Sequence, residues 1–431
     1  MLSYKRRASP PSSYRPTSNQ PTSIHTSQGM LLASLLFISG LTACSAAALA
    51  SSSNHVLLPK PTGFYQVGRS AAEVIDYSRT QPFVLGVEPR KLMISLFYPV
   101  VPQNPPTKRA YMLPETARVE DIMLRAMGLK SPNGTFEKVN LNLASDQTHQ
   151  NLTHQPSCDY PLTIFMPAEA TTRLWYSQIV STIASNGYVV VSIDAPYDVD
   201  VVEYPDGSLA LFNQTLWGTT NLTELARTGY VAIETRAQDV SFVLDQLSNA
   251  TFAHSLVPNL PPSGINTTRT AMFGHSLGGA AAYSILEQDA RVLGGLDMDG
   301  GLFGPGEGTS KPFMIMGAAN HTRNITGDLT QTTWAATWPN ITGWKRDVTV
   351  AGMLHYDFSD YPVVFETLGI TPGVKVATNP NGILIGTMKG TRALQIVTSY
   401  VTAFLDFVIL GKCSALLEGP VKAFPEVTFE Y

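Results

Sequence analysis

The sequence predicts an α/β fold, a mostly parallel sheet covered by helices on both faces, and two observations carry that prediction. From Leu162 onward, short apolar runs of strand length alternate with stretches whose apolar residues recur at helical spacing, and such alternation buries a parallel sheet between two helical layers. The second is Gly274-His275-Ser276-Leu277-Gly278-Gly279, which joins an apolar run to a small-residue run as a sharp strand-to-helix turn would.

Taken in chain order, Leu92 to Val101 reads as a strand. Pro102 to Gln155 is a long polar segment, read as surface decoration with a short helical patch near Val119 to Leu129. Leu162 to Met166 is the next strand, Leu174 to Ser185 a helix, and Tyr188 to Ile193 an apolar strand. Asp194 to Thr228 is polar and reads as a loop-rich insertion. A helix is expected from Ala232 to Leu247, where Val240, Val243, Leu244 and Leu247 recur at helical spacing. The turn strand Thr270 to Phe273 and its helix follow, then apolar runs from Val292 and from Pro312 to Met316, and Val348 to Gly352 running into a loop. Ala393 to Ile409 closes the fold, its stripe of Leu394, Val397, Val401, Phe404, Leu405 and Val408 being a core face rather than a membrane-seeking one. No repeat or linker divides residues 51–431, so they form one domain with insertions near 102–157 and 194–228.

The chemistry begins at the turn. Glycines on either side of Ser276 let the backbone bend sharply enough to lift the hydroxyl clear of the sheet. A serine hydroxyl is a poor nucleophile by itself, and needs an imidazole to take its proton and a carboxylate to orient that imidazole. On strand-to-helix turns of this kind the partners follow in the order serine, acid, histidine. The run from Val292 to Gly301 stops at a glycine turn and holds two aspartates, Asp297 and Asp299. Asp299 is favoured because it lies at the carboxyl end, where open parallel sheets place their crevice, whereas Asp297 is one pleat earlier and reads as a buried carboxylate satisfied by backbone donors. Of eight histidines, His355 alone follows a strand running into a loop, late in the chain. His275 sits in the turn itself, and His321 is set aside inside the sequon Asn320-His321-Thr322.

Several separate stretches resemble one family, the plasma-type platelet-activating factor acetylhydrolases and their microbial relatives within the α/β-hydrolases. They are Gly63-Phe64-Tyr65-Gln66-Val67-Gly68, Arg90-Lys91-Leu92-Met93 leading to Phe97-Tyr98-Pro99, Pro161 to Phe165, Arg236-Ala237-Gln238-Asp239-Val240, the turn, Leu296 to Gly300, and Gly352 to Asp360. The resemblance implies an α/β-hydrolase fold and a Ser276, Asp299, His355 triad independent of any metal or cofactor. It also implies action on glycerophospholipids with a short or oxidised acyl chain. Where the family usually has His-Gly after the third strand, this chain has Met166-Pro167-Ala168-Glu169-Ala170. The backbone N–H of Leu277 is one expected oxyanion donor, and the position matching the family's second donor is Glu169. Pro167 has no N–H and cannot serve, while Ala168 is a fallback. A glutamate here would also disfavour a nearby phosphate.

Composition bounds the remaining readings. The net charge of -4 and the absence of a basic stripe argue against nucleic acid. No Cys/His cluster has metal-ligand spacing, so no zinc is assigned. Residues 1–28 are rich in Ser, Pro and Thr and carry Lys5, Arg6, Arg7 and Arg15, and Met30 to Ala50 is an apolar run, a combination that reads as a secretory signal cleaved after Ala50. An uncleaved anchor is the alternative. Leu41-Thr42-Ala43-Cys44 resembles a bacterial lipoprotein box, but nine sequons, at Asn133, Asn151, Asn213, Asn221, Asn249, Asn266, Asn320, Asn324 and Asn340, take half of all asparagines and favour a glycosylating secretory route. After cleavage only Cys158 and Cys413 remain, either as one disulfide or as two separate buried thiols. The expected function is therefore a secreted serine esterase on a lipid or other small ester, with transient contact with a lipid surface allowed. The rivals are a general esterase, lipase or polyester hydrolase, and a catalytically silent binding protein on the same scaffold.

Overall fold

The computed structural model describes residues 55–430 apart from 103–104, 145–158, 220, 258–259, 304–307, 320, 324–328 and 372–384. The expected leader, Cys158 and the sequons at Asn151, Asn320 and Asn324 lie outside the described residues. Cys413 is exposed rather than buried.

Nine strands form the central sheet: β1 (Gln66–Thr80), β2 (Pro89–Val100), β3 (Leu162–Met166), β4 (Val189–Ile193), β5 (Thr270–His275), β6 (Val292–Met298), β7 (Phe313–Ala318), β8 (Lys345–Val350) and β9 (Val427–Phe429). Their spatial order is β9-β8-β7-β6-β5-β3-β4-β2-β1. The six strands from β4 to β8 in that order are parallel, while β1, β2 and β9 supply antiparallel edges. Side chains alternate between two cores, as a pleated strand buried on both faces requires. Along β3, Leu162, Ile164 and Met166 face one core and Phe165 the other. Helices α1 (Ser177–Ala184) and α4 (Gly390–Leu410) close the Phe165 face with Ile179, Val180, Val397, Val401 and Phe404. Helices α2 (Leu222–Leu247) and α3 (Leu277–Gln288) close the other with Val240, Val243, Leu247, Ala281 and Ile285. Helix α4 is long and apolar enough to cross a membrane, yet Ile396, Val397, Tyr400, Val401, Phe404 and Leu405 are buried in the protein.

Three departures from the sequence expectation have physical causes. Strand β1 lies at the sheet edge and mixes polar with small residues, so it lacks the apolar run that marks an interior strand. Helix α2 starts ten residues before the expected Ala232, because Asn221 accepts from the Thr223 and Glu224 N–H groups and caps its polar first turns. The segment read as decoration instead helps build the core: Thr107–Ala110, Val139–Leu143 and Val56–Leu57 form a small sheet, and Tyr111, Phe136, Val139 and Leu141 are fully buried. The second insertion likewise holds a hairpin of Val201–Glu203 and Leu209–Leu211.

Candidate active site

Parallel register places the predicted residues at one rim. His275 pairs with Met298, so Ser276 and Asp299 are the first residues beyond the paired ends of β5 and β6, and the Ser276 N–H donates to the Met298 carbonyl at 2.9 Å. Ser276 has φ 57° and ψ -122°, and Asp299 has φ 58°. Left-handed backbone at a non-glycine residue costs on the order of 1–3 kcal/mol and persists only where surrounding contacts hold it. Here the flanking glycines make the bend feasible: a Cβ on Gly274 would collide with the Gly278 backbone, and one on Gly278 with the Met166 carbonyl. Leu277 is the first residue of α3, so its N–H belongs to the helix end that lacks intrahelical acceptors.

His355 follows β8 in a short 3-10 turn, His355–Phe358, and its Nδ1 lies 2.6 Å from Asp299 Oδ2. The opposite ring nitrogen, Nε2, is buried and has no hydrogen-bond partner among the described residues. Ser276 is half-buried, and the ring of its neighbour His275 lies 4.5 Å, centroid to centroid, from that of His355. The structure thus joins His355 to Asp299 by a hydrogen bond and sets Ser276 at the same strand ends. Asp299 is buried, which alone would raise its pKa, but His321 and His355 together hold the carboxyl well below the usual carboxylate range. Asp297 is fully buried, takes one bond from the Gly300 N–H at 2.9 Å, and is pushed well above the usual range by burial and by the Asp299 charge. Of the two aspartates, only Asp299 touches an imidazole.

His275 is buried under the site, its Nδ1 2.7 Å from the Tyr176 hydroxyl, and burial followed by the His355 charge holds its pKa well below the ordinary imidazole value. The same hydroxyl accepts from the Ala168 N–H at 3.2 Å, which ties up the fallback donor. The Glu169 N–H has no hydrogen-bond partner among the described residues. Its loop is braced from below: Arg236, fully buried, makes a two-pronged pair with Asp198 at 2.7 and 2.9 Å and donates to the Pro167 carbonyl at 2.6 Å. Burial and the Asp198 charge push the Glu169 carboxyl up to about 8, with Arg236 opposing.

Sequence reasoning missed His321. Its Nδ1 lies 3.1 Å from Asp299 Oδ1, and the ring is stacked at 3.7 Å on Trp334. The signal was available, since His321 follows the carboxyl end of β7 as His355 follows that of β8.

A family model described as platelet-activating factor acetylhydrolase, isoform II, matches residues 50–202. A relative from Arthroderma benhamiae, named a probable 1-alkyl-2-acetylglycerophosphocholine esterase, is 29% identical over 422 residues that span 91% of this chain and 100% of the relative. A ferulic acid esterase from Streptomyces cinnamoneus has the same fold with a TM-score of 0.70 at 26% identity, over 87% of this chain and 99% of that one. These likenesses bear out both the expected α/β-hydrolase fold and the expected family resemblance.

Proposed function

We propose that this chain, a carboxylic ester hydrolase of α/β-hydrolase fold similar to the platelet-activating factor acetylhydrolases, is a secreted serine esterase that cleaves the sn-2 short-chain acyl ester of glycerophospholipids. The observation that carries the reading is the His355–Asp299 hydrogen bond at the strand end beside a left-handed Ser276. In this reading His355 Nε2 takes the Ser276 proton as Oγ attacks the ester carbonyl, and the Leu277 and Glu169 N–H groups receive the oxyanion. Asp299, ionised throughout, stabilises the imidazolium. His355 then returns the proton to the leaving alcohol, and water, deprotonated by the same imidazole, releases the acyl group from the serine.

Substrate and setting follow from other features. Strand β2 runs antiparallel to β4 with Ile94 opposite Ile193, so the turn joining β1 to β2 projects from the same rim as Ser276. That turn exposes Leu85 and Val87, with Tyr77 exposed on the adjoining end of β1, which suits transient contact with a lipid surface. The apolar leader and the sequons support secretion with N-glycosylation.

A second reading is a general carboxylesterase, favoured by the likeness to a ferulic acid esterase and by a carboxyl group on the oxyanion loop. Rates on short-chain sn-2 phospholipids against aryl and triacyl esters, for wild type and Ser276→Ala, test both. Hydrolysis of all substrates should fall on the order of a millionfold in Ser276→Ala. Retained activity would end the serine mechanism, and aryl esters outrunning phospholipids at every chain length would favour the second reading.

A further inference from the structure

Asp299 is held by more than the imidazole it is proposed to serve. Its Oδ1 accepts from the Ala318 N–H at 2.7 Å and from His321 Nδ1 at 3.1 Å, leaving Oδ2 for His355. We propose that His321 is a positioning residue of the hydrolase: by donating to Asp299 Oδ1 it sets the plane of the carboxylate and spreads its charge, so that Oδ2 meets His355 squarely. This rests on the triad reading above.

The support around His321 is built for that contact. Its own N–H closes a tight turn onto the Ala318 carbonyl at 2.9 Å, and the Ala319 N–H donates to the Met353 carbonyl at 3.1 Å, which ties the His321 loop to the loop carrying His355. Trp334 lies flat against the imidazole, 13° from parallel, and is itself fixed by its Nε1–H donating to the Gly300 carbonyl at 2.5 Å. Gly317 makes room for the stack, since a Cβ there would stand 2.9 Å from the indole. An ionised carboxylate only accepts, so Nδ1 of His321 carries the proton. The other nitrogen, Nε2, is buried with no partner among the described residues, so the polar contacts of this side chain are spent on the acid. A residue present only to fill space beside Trp334 would need no nitrogen at all.

The direction of the effect is set by charge. Taking away a donor from Oδ1 leaves more negative charge at Oδ2, which stabilises the His355 imidazolium and makes the base harder to deprotonate. The groups facing the cluster are Asp299 and Asp297 from the end of β6, Asp347 of β8 with its partner Arg323, Asp357 in the His355 turn, and His275 and Tyr356 beside His355. None of them replaces the His321 donor, because Asp299 has no other hydrogen-bonded side chain among the described residues than the two histidines.

The test compares wild type, His321→Phe, which keeps the stack but not the nitrogen, and His321→Asn, whose amide can stand near the position of Nδ1. Activity on p-nitrophenyl acetate is followed across pH, with fluorophosphonate labelling of Ser276 to count folded sites. His321→Phe should lower kcat roughly tenfold at unchanged KM, the scale of one hydrogen bond to a charged group, and move the acid limb of kcat/KM to higher pH. His321→Asn should recover most of the rate and return the limb. A fully labelled His321→Phe with wild-type kcat and an unmoved limb would overturn the proposal. Should that variant not fold, proton NMR of wild type decides: two low-field imidazole N–H signals that both move when Ser276 is phosphonylated support it, and a single responding signal overturns it. Activity surviving in Ser276→Ala would instead sink the triad reading, whatever the His321 variants do.

Discussion

Exchanging each of the two neighbouring aspartates for asparagine separates their roles. In Asp299→Asn the amide oxygen is best placed at Oδ1, where it keeps the Ala318 and His321 donors at 2.7 and 3.1 Å, so the NH2 group turns toward His355 Nδ1 at 2.6 Å. Two donors cannot share that contact, and the imidazole must move its proton to Nε2. That nitrogen then cannot accept from Ser276. The loss combines this wrong tautomer with the missing charge opposite the imidazolium, and should be on the order of ten-thousandfold in kcat, about 5 kcal/mol. Stability should change by only about 1 kcal/mol, because two of three bonds survive. Asp297→Asn should leave activity near wild type: burial and the Asp299 charge push that carboxyl toward its neutral form, and its bond from Gly300, the one it takes among the described residues, needs only an oxygen. Initial rates on p-nitrophenyl acetate with urea unfolding as a control decide the matter. A dead Asp297→Asn beside a near-normal Asp299→Asn, both folded, would refute the assignment.

Two further outcomes follow from the same geometry. Because the Glu169 carboxyl is pushed up to about 8, it is neutral near pH 6 and gains charge as pH rises through that value, so the rate ratio of anionic to neutral esters should fall across the interval and stay flat in Glu169→Gln. Glycopeptide mapping of secreted protein should find sugar at Asn221, Asn249 and Asn266, which are exposed and cap turns through their carbonyl oxygens, but not at Asn213, whose Nδ2 is committed to the Phe83 carbonyl at 2.6 Å. Sugar at Asn213 would count against the Phe83 contact, and none at the other three would count against the secretory reading.

How far the sequence could be read depended on what each residue's signal was. Buried parallel strands are short and apolar on both faces, so Leu162–Met166, Val189–Ile193 and Thr270–His275 stand out within two residues of their ends. Edge strands lack that mark, and Gln66–Thr80 and Val427–Phe429 went unread. The polar stretch before Leu162 was misjudged because its buried residues, Tyr111 and Phe136 among them, are isolated in sequence and gather only when three short strands pair. At the site, the glycine spacing around Ser276 and the strand-end position of Asp299 are local features. His321 was discarded because its neighbours spell a sequon, a pattern that says nothing about where the ring points.

What the sequence determined by itself was therefore the alternation of elements, the bend that presents Ser276, and the order in which acid and base follow it, since these arise from steric limits and periodicities within a few residues. Tertiary structure alone decided which aspartate meets an imidazole, that the Ala168 N–H is taken by Tyr176, and that two histidines share one carboxylate. Those contacts join residues from 8 to 56 positions apart, and their distances are set by the register of parallel strands and the turns that leave them, which no local pattern encodes.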